Sequence, residues 1–212
     1  MTTMTTMATS AKPLRPAGDV SQLPTVVFGS RSLMWWSTLG FMVVEGWTLA
    51  LLVVSYLYLR QNYEAWPPLR TPYPSLLIPT INLALMLLSL IPAIASQRAA
   101  KRLDKPALKK WLLLFSVIVF AIVVVRWWEL WALNTRWDTN AYGSAAWTIV
   151  GFHTSLLALD VADTLGLTLF YFVRPMPVKS FSDATDNSFY WYFTVGIWIP
   201  VYLIVYVGPR IF

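Results

Sequence analysis

Five apolar runs, at about 33–59, 76–96, 111–133, 142–173 and 189–207, govern what this chain can fold into. A helix needs roughly 20 residues to cross the hydrocarbon core of a bilayer, and these runs are of that size. In lipid only a helix or a closed barrel satisfies all of its backbone groups, and runs this long and continuous read as helices. The chain is therefore read as an all-α integral membrane protein, a five-transmembrane-helix bundle. With 57% hydrophobic residues, 12% charged residues and a mean hydropathy of +0.57, composition puts it outside the soluble class.

Two regions follow: residues 1–30 as a flexible cytoplasmic tail and residues 31–212 as one five-helix membrane domain. The tail has no apolar run of signal-peptide length, and Lys12 and Arg15 support a mitochondrial presequence only weakly. The net charge of +6 and pI near 9.7 do not point to nucleic acid, because the basic residues cluster in the stretch QRAAKRLDKPALKK between two apolar runs. Such a loop belongs on the cytoplasmic side. With the N-terminus inside, eleven basic residues fall in cytoplasmic segments and four in outer ones, so the N-terminus is expected to be cytoplasmic and the C-terminus periplasmic.

Polar residues inside the runs mark where function is to be sought. In the first run Glu45 lies ~18 Å from the inner end, near the midplane, counting 1.5 Å per residue. Trp35 and Trp36 at its start and Tyr56 and Tyr58 at its end read as interfacial anchors. The second holds Asn82, with Pro79 and Pro92 expected near its ends. In the third, Arg126 and Glu129 share a helical face at a spacing that allows an ion pair, among Trp127, Trp128 and Trp131. That pair reads either as a neutralised structural pair beside an aromatic belt or as an anchor for a lipid headgroup or subunit. The fourth carries His153, Asp160 and Asp163 on one face, which must look into protein, water or a partner. The segment PMPVKSFSDATDNS then reads as a polar turn before the aromatic fifth run, with Tyr190, Trp191, Tyr192, Phe193 and Trp198.

A redox metal site is testable by counting ligands. One histidine and no cysteine cannot build a bis-His haem, a three-His copper or a thiolate site. No HExxH or GxSxG string is present. The expectation is no catalytic centre and no cofactor or metal bound by this chain. Glu45 and Asp160, both at middle depth, could meet and share a proton, or could be hydrogen-bonded groups that fix helix register. His153 and Glu129 could also pair.

Several strings then resemble one family, subunit III of the haem-copper oxidases, which includes cytochrome c oxidase and the bo-type quinol oxidase. GFMVVEG around Glu45, YLYLR at 56–60 and WPP at 66–68 look like the family's first retained helix and its exit. Glu129, YGS at Tyr142 to Ser144 and GFH at Gly151 to His153 resemble its signature in order and spacing, and YWYF at Tyr190 to Phe193 resembles its YWHF element. The chain departs at Thr154 and Leu156, where the family has glycine and a second histidine, and at Tyr192 and Val195, where it has His and Asp. These departures motivate the hypothesis that Asp160 and Asp163 take over, toward Glu45, a polar role that the last helix has lost.

The resemblance implies a non-catalytic accessory subunit that packs on the catalytic haem-copper subunit I and neighbours subunit II. It implies phospholipid in a cleft between the first two retained helices and the others, haem and copper in the partner, and proton uptake and oxygen access kept durable. The short five-helix form resembles a bacterial type, which implies a multi-pass protein of the bacterial inner membrane. Two rivals stand beside it: a subunit-III-like partner of another respiratory complex such as a nitric oxide reductase, and a stand-alone proton-coupled transporter using Glu45, Asp160 and Asp163, against which no inverted repeat is visible.

Overall fold

The computed structural model describes residues 24, 26–175 and 177–211, and the expected tail over 1–30 lies almost wholly outside them. Five long helices follow in order: α1 (Leu33–Arg60), α2 (Leu77–Lys101), α3 (Lys105–Trp131), α4 (Ala141–Val173) and α5 (Phe181–Tyr202). All five are long and apolar enough to cross a membrane, the last counted over Val178–Arg210 with its flanking turns.

Packing makes α5 the centre of the bundle. It lies against α1, α2 and α4, while α2 and α3 form a tight antiparallel pair and α3 also meets α4. Along α5 and into the helical turn that follows it (Leu203–Val207), Ala184, Ser188, Trp191, Val195, Trp198, Val201 and Val205 are buried at three- and four-residue spacing, as one face of a helix requires. Helix α1 is peripheral, with only Leu49 and Tyr56 buried along its whole length.

The helix boundaries depart from the sequence expectation where charge was read as loop. The basic stretch is mostly helical: α2 runs on to Lys101 and α3 begins at Lys105, leaving Arg102, Leu103 and Asp104 as the connection. Lysine and arginine are good helix formers, and their long side chains carry the charge out of the bundle. The Asp104 carboxylate accepts from the Ala107 N–H at 3.1 Å, and Pro106 sits in the first turn, where its missing N–H costs nothing.

The second correction is larger. The expected polar turn before the fifth crossing is instead a short 3-10 turn (Val178–Ser180) and the first two turns of α5. Its polar residues point inward: Thr185, Asp186, Asn187 and Ser188 are all buried. Ser188 donates to the Ala184 carbonyl of its own helix and to the Ala93 carbonyl of α2. The Tyr171 hydroxyl donates to the Ser180 carbonyl, fixing the corner.

Two smaller expectations also fail. Pro92 lies inside α2 rather than near its end, buried beside hydroxyls of Ser89 and Ser96 that bond back to the Met86 and Ala93 carbonyls. Tyr56 is no interfacial anchor, because it is fully buried, whereas Tyr58 is exposed.

The end of the bundle formed by the α1–α2 and α3–α4 connections is closed by side chains that bond to loop carbonyls. Arg210 donates to the Pro74 and Tyr206 carbonyls, Asn134 to the Tyr73 carbonyl and Trp147 Nε1 to the Thr135 carbonyl. Asn140 caps α4 by accepting from the Gly143 N–H at 2.8 Å. At Gly143 an added Cβ would lie 2.3 Å from the Arg136 carbonyl oxygen, so only glycine fits.

Candidate functional site

The strings that carry the family resemblance converge on packing contacts. Tyr56, Trp66 and Tyr142 form one buried aromatic cluster, with ring centres 5.2 Å apart for Tyr56–Trp66 and Trp66–Tyr142. Such edge-to-face arrangements contribute about 0.5–1.5 kcal/mol per pair beyond the area buried. Thus YLYLR, WPP and YGS meet at one point, with Ser144 bonded to the Trp137 carbonyl at 2.7 Å. Likewise Trp191 of YWYF donates from Nε1 to Ser89 Oγ at 2.8 Å, tying α5 to α2.

Two polar centres lie deeper. The first is the Arg126–Glu129 pair, 3.1 Å apart and only 1% and 0% exposed. Asn82 of α2 donates to the same carboxylate at 2.6 Å. The Arg126 guanidinium sits 3.8 Å from the Trp198 ring centre, and the His153 imidazole lies 4.3 Å from that same ring. Arg126, Trp198 and His153 therefore form a contiguous stack that joins α3, α5 and α4. Trp127, Trp128 and Trp131 are exposed on the other side of α3. The ion pair thus faces the bundle and not a headgroup or a neighbouring subunit, which favours its structural reading.

His153 does not pair with Glu129. Its Nε2 lies 3.0 Å from the Thr194 carbonyl. A carbonyl only accepts, so Nε2 carries the proton and donates. The Thr194 hydroxyl donates in turn to Asp160 at 3.2 Å, which places Thr194 between His153 and Asp160.

The second centre is a groove of about 530 Å³ between α1, α4 and α5. Glu45, Asp160 and Asp163 all line it, as do Asp183 and Asp186. Glu45 and Asp160 are held by α5 rather than by each other: Tyr190 OH donates to Glu45 at 2.6 Å and Thr194 to Asp160. Asn187 donates to Asp163 at 3.3 Å and to Thr164 at 2.9 Å. Asp160 Oδ1 and Asp186 Oδ2 are buried without a partner. Among the described residues no group of three or more His, Cys, Asp or Glu is arranged to hold a metal ion.

Sequence reading found the acids of α1 and α4 but missed the α5 residues that hold them. Asn187, Tyr190 and Thr194 recur at i, i+3 and i+7, one face of a helix, and that periodicity was the available signal. Asn82 was visible as a polar residue in an apolar run, but its partner Glu129 lies 47 positions away.

No protein-family model matches the chain. It is similar to two curated proteins, each described as cytochrome c oxidase subunit 3. The one from Synechocystis sp. is 27% identical over 171 residues, covering 78% of this chain and 72% of its own length. The one from Thermostichus vulcanus is 25% identical over 172 residues, covering 80% and 85%. Taken with five membrane-crossing helices and the way the signature strings pack together, these relatives support the haem-copper oxidase subunit III family for this multi-pass membrane protein.

Proposed function

We propose that the chain acts as the non-catalytic subunit III of a haem-copper terminal oxidase, seated against the catalytic subunit with phospholipid at its cleft, in a bacterial inner membrane with its N-terminus cytoplasmic. The observation that carries this reading is the similarity to two cytochrome c oxidase subunit 3 proteins over about four-fifths of the chain. Local chemistry supports it. The single histidine is occupied by the Thr194 carbonyl and the Trp198 ring, and the buried arginine by Glu129 and Trp198. Residues committed to locking helices together suit a scaffold better than an electron-transfer centre. Haem and copper belong to the partner subunit in this reading.

As a scaffold the chain acts through rigidity. The Arg126–Trp198–His153 stack and the Asn82–Glu129 bond cross-link α2, α3, α4 and α5 at membrane depth, so the outer surface offered to the catalytic subunit and its lipids keeps one shape. The groove acids line the cleft between α1, α4 and α5 and bear on proton supply to the partner. The test is durability of turnover in the oxidase with and without this chain. The complex lacking it should begin turnover normally and lose activity sooner; equal lifetimes would remove the accessory role.

A further inference from the structure

A second groove, of about 480 Å³, lies between the end of α2 and the start of α3 and shares no lining residue with the cleft of α1, α4 and α5. Each helix gives it one stripe. Ile91, Ala95, Arg98 and Arg102 follow at steps of four, three and four residues, facing Ala107 and Trp111 four residues apart. The space exists because small side chains, Ala95, Ala99 and Ala107, stand where the two helices come together.

Polarity is graded along the groove. Ile94 and Ile91 lie four and seven residues before Arg98, ~6 and ~10 Å further into the membrane, and are 37% and 62% exposed. Arg98 and Arg102 stand at the mouth, one turn apart on one face, so both can reach a single anion. Neither guanidinium has a hydrogen-bond or ion-pair partner among the described residues. Asp104, the one acid lining the groove, accepts the Ala107 N–H and forms no ion pair with either arginine. Over residues 98–105, Arg98, Lys101, Arg102 and Lys105 stand against that single carboxylate.

An occupant that fits must therefore bring an anion to the helix-connection end and an apolar body below it. An acidic side chain on a neighbouring helix would meet the arginines and leave the two lysines uncompensated. An anionic leaflet supplies negative charge at the depth of all four cations, and basic pockets between transmembrane helices hold such headgroups. Guanidinium groups grip phosphate through paired N–H donors. Trp111, ~9 Å along α3 from Lys105, adds an indole at the depth where such rings meet headgroups.

We propose that this groove binds one anionic phospholipid, with its phosphate held by Arg98 and Arg102 and an acyl chain lying along Ile94 and Ile91. The site is separate from the cleft lipid named above and selects its occupant by headgroup charge. It requires a membrane-spanning chain and stands independently of the oxidase reading.

The test reconstitutes the complex purified through this chain into phosphatidylcholine nanodiscs with a trace of phosphatidylglycerol that carries a photoactivatable diazirine in its acyl chain. Adducts mapped by mass spectrometry should fall on residues 91–95 of α2, with any adduct in the cleft of α1, α4 and α5 as internal reference. Unlabelled phosphatidylglycerol should suppress the α2 adduct, whereas phosphatidylcholine or inorganic phosphate should not. Arg98→Gln combined with Arg102→Gln should lower the α2 adduct about tenfold or more and leave the cleft adduct unchanged; both side chains are exposed, so the fold tolerates the change. Arg98→Lys, which keeps the charge and loses the fork, should fall between the two. An α2 adduct that is absent, equally strong from a phosphatidylcholine probe, or unchanged in the doubly neutral variant would overturn the proposal. Displacement by inorganic phosphate, or a parallel loss in the cleft, would overturn it too. Should no oxidase subunit accompany the chain, the oxidase reading fails while the labelling still decides this site.

Discussion

Replacing Glu129 by Gln separates the charge of the buried pair from its shape. Gln fills the same space and still accepts from Asn82, now bonded at 2.6 Å, but it leaves Arg126 as an uncompensated cation that is 1% exposed. At a separation of 3.1 Å the pair attraction is about 5 kcal/mol for an effective dielectric of 20. The Trp198 ring at 3.8 Å from the guanidinium offsets part of the loss, about 1–2 kcal/mol. A net destabilisation of about 3–5 kcal/mol is therefore expected, in line with breaking one side of a buried ion pair. That is roughly two to four decades in the unfolding constant. Reversible denaturation in mixed micelles, followed by tryptophan fluorescence, reads it directly. Arg126→Met combined with Glu129→Gln removes the stranded cation, so the double variant should cost less than the sum of the two singles by about 2 kcal/mol or more. A Glu129→Gln protein within about 1 kcal/mol of the parent, or singles that simply add, would refute a coupled buried pair.

Three further outcomes follow from single contacts. Tyr190→Phe removes the 2.6 Å hydrogen bond to Glu45 and should cost about 1.5–3 kcal/mol by the same denaturation assay, as for a hydrogen bond to a charged group; no change would mean the bond is not formed in the membrane. Gly143→Ala drives a Cβ to 2.3 Å from the Arg136 carbonyl and should lose about 1–3 kcal/mol or prevent folding, whereas Gly151→Ala, in open space, should be neutral or gain up to about 1 kcal/mol in the isolated chain. Trp198→Leu withdraws the ring shared by Arg126 and His153 and should cost about 3–5 kcal/mol, with the His153 ring resonances shifting by NMR; unshifted resonances would show that the stack is absent.

The crossings were legible because an apolar run of ~20 residues has few alternatives to a membrane helix. Four of the five helices begin or end within two residues of expectation at one end or both, as at Leu33 in α1 and Val173 in α4. The two failures at helix boundaries share one physical cause: charge and hydroxyl content were read as loop. Lys101 and Lys105 continue helices because their charges reach past the bundle's end, and Thr185 to Ser188 are helical because their polarity is turned inward. The candidate acids were legible from depth alone. What sequence could not supply was partnership across helices, since Asn82 with Glu129 and Tyr190 with Glu45 meet only through the tertiary fold. His153 illustrates this best: from sequence it could pair with Glu129, but in the fold its imidazole meets the Thr194 carbonyl and the Trp198 ring.

The most direct measurement is purification of the native complex in mild detergent through a tag on this chain, with an absorption spectrum and mass spectrometry of what accompanies it. A haem-copper catalytic subunit should co-purify, the complex should show haem bands, and this chain separated from its partners should show none. A chain that purifies alone, or that carries haem coordinated by its own side chains, would contradict its assignment as an accessory oxidase subunit.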